Sequence, residues 1–220
     1  FIREDCMEAP GIPSMDNNLV TSYLRMLTTF ICEEHGIAPE EEGVKPAKTP
    51  EEEETLSRLY CAISAIWSLG ANLHESSRKK FMAFLRPKLQ SFCDQVADDS
   101  DLYRMCVNDE TCLFAQTSTI VPHFNFDINE PFFNILVPTI ETTGQRYLLE
   151  NLMRASFNVL VSGETGVGKS VVIQQFLNTA GDTFATCAAN FSAQTSAGNV
   201  VDLLENRLER KRKNLLGAPP

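Results

Sequence analysis

Eight residues carry the plainest chemistry in this 220-residue sequence: Gly163-Glu164-Thr165-Gly166-Val167-Gly168-Lys169-Ser170. They match the spacing G-x-x-x-x-G-K-[ST] in full. Glycines at these positions let the backbone curl so that its N–H groups point inward at phosphate oxygens, and a helix starting at the lysine adds partial positive charge there. On this pattern Lys169 reaches the β- and γ-phosphates and the Ser170 hydroxyl helps to hold Mg²⁺. The predicted nucleotide-binding set is Gly163, Thr165, Gly166, Val167, Gly168, Lys169, Ser170 and Val171, with ATP or ADP as ligand and Ser170 on the metal. Hydrolysis needs more, because an acidic residue after an apolar strand must complete the metal site and activate water. After Ser170 no run of apolar residues ends in Asp-Asp or Asp-Glu. "VVDLLE", at 200–205, spaces its acids as an amphipathic helix does. No catalytic residue is therefore assigned within the sequence.

Elements must hold that loop in place. "NVLVS", at 158–162, reads as the strand before it, and "SVVIQQFL", at 170–177, as the helix after it. A helix over about 145–155 delivers the chain to this stretch. Beyond it, 183–192 reads as another strand and 196–213 as a helix that ends in the basic run Arg207, Arg210, Lys211, Arg212 and Lys213. That run is expected to be a solvated face complementing the helix dipole.

The first half is helical in pattern. Leu19, Tyr23, Leu27, Phe30 and Ile31 share one face of a helix that starts near Asn17 and is closed by Gly36. Residues 36–50, rich in Pro, Gly and Glu, read as a loop. Thr49, Pro50 and Glu52 form a capping-box start, with glutamates in the first turn. Leu56, Leu59, Tyr60, Ile63, Ile66 and Trp67 follow on a broad apolar face closed by Gly70. A third helix from about Ser77 turns Phe81, Phe84 and Leu85 inward, and Pro87 is expected to kink or end it. Residues 15–98 thus read as a small helical domain. After it, "LYRMCV" and "TSTIVPHFNF" look extended, with a turn at Asn108-Asp109.

Composition narrows the classes. With 43% apolar residues the chain can build a core, and a formal charge of −10 argues against a nucleic-acid binder. No apolar run is long enough to span a membrane. Seven cysteines without a C-x-x-C pair suit buried free thiols in a reducing compartment. Cys106, Cys112 and His123 fit no common zinc spacing. The start at Phe1 and the end at Pro220 both read as cut rather than natural.

Four stretches resemble dynein heavy chains of the axonemal type, in the order that family has from the end of its second AAA+ module into its third. "AIWSLGANLHESSRKKFMAFLR" (65–86) resembles the helical segment of the second module. "NILVPTIETT" (134–143) is similar to the opening of the third, and the phosphate loop follows at the expected distance. "NFSAQTSAGNVVDLLENRLERKRKNLLGAPP" (190–220) is similar to the family's N-F-S-A-Q-T segment, basic helix and G-P-P end. Departures are Glu164 where many members have proline, Glu141 for the commoner aspartate, no tryptophan in 113–118, and the extra Ala218. None removes a phosphate-binding group.

The resemblance implies an α+β fold: a small helical AAA+ lid domain followed by the first part of an α/β P-loop NTPase (AAA+) domain. It divides the chain into a connector (1–14), the helical small domain of the preceding module (15–112), a linker with the adenine-side lead-in (113–144) and a truncated N-terminal part of the P-loop domain (145–220). By analogy the adenine lies near Val137, Pro138 and Thr139, and the metal-completing acids beyond Pro220. The resemblance also implies a microtubule motor with six AAA+ modules in one ring, in which the third is usually a regulatory nucleotide site. Implied partners are neighbouring modules of the same heavy chain, microtubules through the whole motor and other dynein subunits, with neither nucleic acid nor membrane. The implied location is the cytoskeleton of a cilium or flagellum axoneme, the alternative being the cytoplasm. A structural module that holds nucleotide without turnover, or an unrelated P-loop enzyme such as a small-molecule kinase, are the competing expectations.

Overall fold

The computed structural model describes residues 1–8, 14–37, 48–96, 101–124, 126, 135, 137–180, 184–213 and 215–217. The chain divides into two compact units, Phe1–Val172 and Ile173–Pro220. The expected loop at 36–50 falls largely outside the described residues.

The first unit is built on α3 (Pro50–Gly70), which packs against α2 (Asp16–Phe30) and α4 (Glu75–Gln90). Its start follows from local chemistry. The Thr49 hydroxyl accepts from the Glu52 N–H at 3.3 Å, the Glu52 carboxylate accepts from the Thr49 N–H at 2.8 Å, and Pro50 occupies the first turn. Leu56, Leu59, Tyr60, Ile63 and Ile66 are fully buried along this helix. The face expected for α2 is largely the one observed: Phe30 is buried and Leu19, Tyr23 and Leu27 half-buried, Met26 and Thr29 join them, and Ile31 lies outside the helix and exposed. The helix stops at Phe30 rather than at Gly36. A 3₁₀ turn, Glu33–His35, follows, and Gly36 ends that turn in the left-handed region.

Pro87 neither kinks nor ends α4, which runs through it to Gln90 and starts at His74 as cap, earlier than expected. Pro87 and Ala83 both lie on the exposed face, where water can take the place of the helical partner that the Ala83 carbonyl loses. Phe84, expected inward, is 39% exposed and stacks on Phe1, which belongs to the short helix α1 region (α1, Ile2–Asp5).

Beyond the helices, Leu102–Arg104 is a 3₁₀ turn rather than extended chain, and β1 (Met105–Asn108) pairs antiparallel with β2 (Leu113–Gln116). The turn between them lies where expected, because the Asn108 side chain accepts from the N–H groups of Glu110 (2.9 Å) and Thr111 (3.0 Å). Thr117–Ile120 forms another 3₁₀ turn, so among the described residues the stretch after β2 does not begin as a strand. Then α5 (Ile140–Arg154) starts five residues earlier than the apolar pattern suggests, since Thr139 and Thr142 cap it reciprocally. Tyr147, Leu148 and Leu152 of α5 pack on the core of the first unit.

Helix α6 (Lys169–Ala180) crosses from the first unit into the second. In the second unit α7 (Ala197–Glu205) ends well before Lys213. Arg210, Lys211 and Arg212 of the basic run instead lie in β3 (Glu209–Arg212), which pairs antiparallel with β4 (Leu215–Gly217), and Arg207 lies in the turn before it. A helix continued to Lys213 would have set like charges four residues apart at Arg207 and Lys211, which is unfavourable. In the hairpin Lys211 donates to Glu209 at 3.0 Å instead. Neither 158–162 nor the described residues of 183–192 form strands. A strand is defined by a partner's hydrogen bonds, and no described residue pairs with either segment. Leu160, expected in a buried strand, is 75% exposed. Among the described residues no helix is long and apolar enough to cross a membrane, and no His/Cys/Asp/Glu cluster could hold a metal ion. All seven cysteines are free thiols.

Candidate nucleotide-binding site

The predicted loop residues do come together, at the junction where 163–168 turn into α6. Gly166 and Gly168 have φ of +87° and +86°, a region that side-chain-bearing residues rarely adopt. A Cβ at either would meet nothing within 4 Å, so backbone conformation, rather than crowding, demands glycine there. Val172 N–H donates to the Gly168 carbonyl at 3.1 Å, an early bond of the helix. The N–H groups of the first turn have no acceptor within their own helix, so Lys169, Ser170 and Val171 present donors at its positive end. Lys169 folds back across the loop and donates to the carbonyls of Gly163 (2.9 Å) and Glu164 (2.5 Å). Those two carbonyls carry no sequence signal of their own beyond the spacing that sets them under the lysine.

Thr165, Gly166, Val167 and Ser170 are exposed, as a site open to a charged ligand requires. The donor set is backbone N–H groups, the Lys169 ammonium and the hydroxyls of Thr165 and Ser170. It suits a polyphosphate, and the Ser170 hydroxyl at the helix start suits a phosphate-bound Mg²⁺. The residues therefore fit the group implied by the motif.

Val137, Pro138 and Thr139 stand immediately before α5, with Val137 56% exposed. Thr139 has a structural duty there: its hydroxyl accepts the Thr142 N–H at 3.2 Å. The far end of α5 sets the approach to the loop. Ser156 adopts φ +60°, Phe157 N–H reaches back to the Leu152 carbonyl at 2.9 Å, and the Arg25 guanidinium of α2 lies over the Phe157 ring at 5.8 Å. At its first turn Glu141 pairs with Arg104 at 2.6 Å. Hydrogen bonding to its own N–H, then the Arg104 charge, hold the Glu141 carboxyl below the usual range.

A glycine-rich loop with positive-φ glycines at a helix N-terminus is the arrangement of a P-loop nucleotide-binding module, and here a helical unit precedes it in the chain. Two family profiles match the chain: "Dynein heavy chain AAA lid domain" over residues 1–116 and "P-loop containing dynein motor region" over residues 124–220. The chain belongs to the dynein heavy chain family. It is 34% identical over 225 aligned residues to human (Homo sapiens) dynein axonemal heavy chain 6, covering 100% of this chain and 5% of that protein. It is 34% identical over 160 residues to the dynein-1-beta heavy chain of the flagellar inner arm I1 complex of Chlamydomonas reinhardtii, covering 71% of this chain and 3% of that one. Dynein axonemal heavy chain 2 of Mus musculus is 28% identical over 217 residues, 98% of this chain and 5% of its own length. The chain thus spans about a twentieth of the curated relatives it matches.

Proposed function

We propose that residues 163–171 bind ATP or ADP with Mg²⁺ as a regulatory nucleotide site in the third module of a dynein motor ring. The observation that carries this is the conformation of the loop: two glycines at positive φ, a helix N-terminus behind them and the Lys169 ammonium folded back onto the Gly163 and Glu164 carbonyls. Lys169 pairs with the phosphates, Ser170 holds the metal, and the backbone of Gly163, Thr165, Gly166, Val167, Gly168 and Val171 lines the cradle. Val137, Pro138 and Thr139 take the adenine side. Helices 15–112 serve as the small domain of the second module, 113–144 as the connection, and 145–220 as the opening of the third.

In this role the chain works within a microtubule motor of the axoneme, alongside neighbouring AAA+ modules of the same heavy chain. Microtubules are reached through the whole motor, not through this segment. The names of the axonemal and flagellar relatives support that location.

The test is Lys169→Ala in the intact heavy chain. Nucleotide affinity at this module should fall at least tenfold, about 1.4 kcal/mol, with motility slowed or mis-gated but not abolished. Unchanged occupancy would remove Lys169 from the site. Occupancy lost with no effect on motility would favour a module that only holds nucleotide.

A further inference from the structure

In the second unit the β3–β4 ladder holds the basic run on a fixed scaffold. Glu209 pairs with Gly217, Arg210 with Leu216 and Arg212 with Leu215. The register shifts between Arg210 and Arg212, which makes Lys211 the extra residue of a bulge. Its stem lies along Gly217, where a Cβ would come within 3.1 Å of Lys211 Cγ, and its ammonium donates to Glu209 at 3.0 Å. Lys211 and Glu209 therefore neutralise each other. Arg207, Arg210, Arg212 and Lys213 are all exposed, and among the described residues none of them pairs with a carboxylate. Leucines stand among these charges: Leu216 directly across from Arg210 and 40% exposed, Leu215 directly across from Arg212 and 53% exposed.

The charge balance of this hairpin is the reverse of the chain's. Against a net charge of −10, residues 207–213 hold Arg207, Arg210, Lys211, Arg212 and Lys213 with Glu209 as their one acid. Cations on a free strand edge discourage pairing with another strand, but that duty gives no use to the leucines set opposite them. Together they suit a polypeptide partner. The planar guanidinium forks of Arg210 and Arg212 match carboxylates bidentately, and Leu215 and Leu216 offer apolar contact beside each fork. A nucleic acid fits less well. Its backbone repeats its charge along its whole length, so a strand running past the hairpin would meet the field of a chain that is negative overall. A short acidic segment of polypeptide confines its charge to the hairpin.

We propose that the β3–β4 hairpin is a docking surface for a carboxylate-rich polypeptide segment from outside residues 1–220, with Arg210 and Arg212 as its anchors. The surface does not depend on nucleotide binding at the phosphate loop, and its test reads the contact directly. In the intact heavy chain, a carbodiimide joins the Lys213 amine to any carboxylate in contact with it, and the products are mapped by mass spectrometry. Lys213 should cross-link to aspartates or glutamates of one acidic segment. The yield should fall about tenfold when Arg210→Glu and Arg212→Glu are combined, and likewise in about 0.5 M salt, since neither change touches the reacting amine. Arg210→Gln with Arg212→Gln, which removes charge without reversing it, should lower the yield to a smaller extent and decides the matter if the reversed pair does not fold. An absence of cross-links, cross-links confined to the hairpin or scattered over unrelated carboxylates, or a yield that the substitutions leave unchanged, overturns the proposal. Protection of Lys213 from acetylation by an added single-stranded oligonucleotide, without carboxylate cross-links, would assign the surface to nucleic acid and overturn it too.

Discussion

Position 70, the last of α3, is a glycine for a reason that lies outside the helix. Tyr103 donates its hydroxyl to the Gly70 carbonyl at 3.0 Å, and a Cβ on Gly70 would run into that hydroxyl and come within 2.5 Å of Phe81. The same tyrosine lies under the Arg78 guanidinium at 5.1 Å and edge-on to Trp67 at 5.5 Å. Gly70→Ala should therefore destabilise the first unit by about 1–3 kcal/mol. Urea denaturation reads this directly, and a change below about half a kcal/mol would mean that the crowding relaxes freely. Residues differ sharply in how far they announce such roles. Lys169 is legible because its partners lie five and six positions away and the spacing is the signal. His35, whose ring nitrogens meet Asp109 at 2.8 Å and Asn151 at 3.1 Å, is silent in the sequence because those partners lie 74 and 116 positions on. The Thr139 cap is legible too, since a threonine with another three residues on can close a helix start from both sides.

At the scale of elements, caps and glycine turns decide what a sequence discloses. The capping box at Thr49 predicts the start of α3, and Thr49→Ala should cost about 1 kcal/mol, seen as a lower melting temperature. Pro87 misled because its cost depends on exposure, which periodicity alone does not give. Pro87→Ala restores a helical bond and removes a ring clash on an open face, so it should stabilise α4 by about 1–3 kcal/mol. A loss of stability would instead show that the proline ring packs usefully. The expected strands at 158–162 and 183–192 failed for a different reason. Their apolar runs specify burial, whereas a strand also needs a paired neighbour, and the described residues supply none. The basic run is silent about its own element, because charge alone carries no periodicity to tell helix from hairpin.

Across the whole molecule, all four tyrosines are pushed up, chiefly by burial: Tyr23, Tyr60, Tyr147, and Tyr103 to about 12. The folded chain then keeps phenolic protons that the unfolded chain releases above about pH 10, so stability is intact below that value and falls as pH rises beyond it. Tyrosinate absorbance should lag behind free tyrosine and then rise together with loss of helical circular dichroism. Free titration at about pH 10 with the helices intact would contradict it. At the acid end the sign reverses. Glu52, bonded to the Thr49 backbone and hydroxyl, and Glu141 are both held low, so their contribution is present above the ordinary carboxylate range and is lost as pH falls. The two family matches part between residues 116 and 124, yet α5 lies beyond that seam and is packed on the lid. Anyone grafting a lid from one heavy chain onto another should therefore not splice at the seam. A crossover there would pair one parent's Arg104, His35 and Phe30 with the other's Glu141, Asn151 and Tyr147. A crossover after Ser156 would transplant both halves of the socket together.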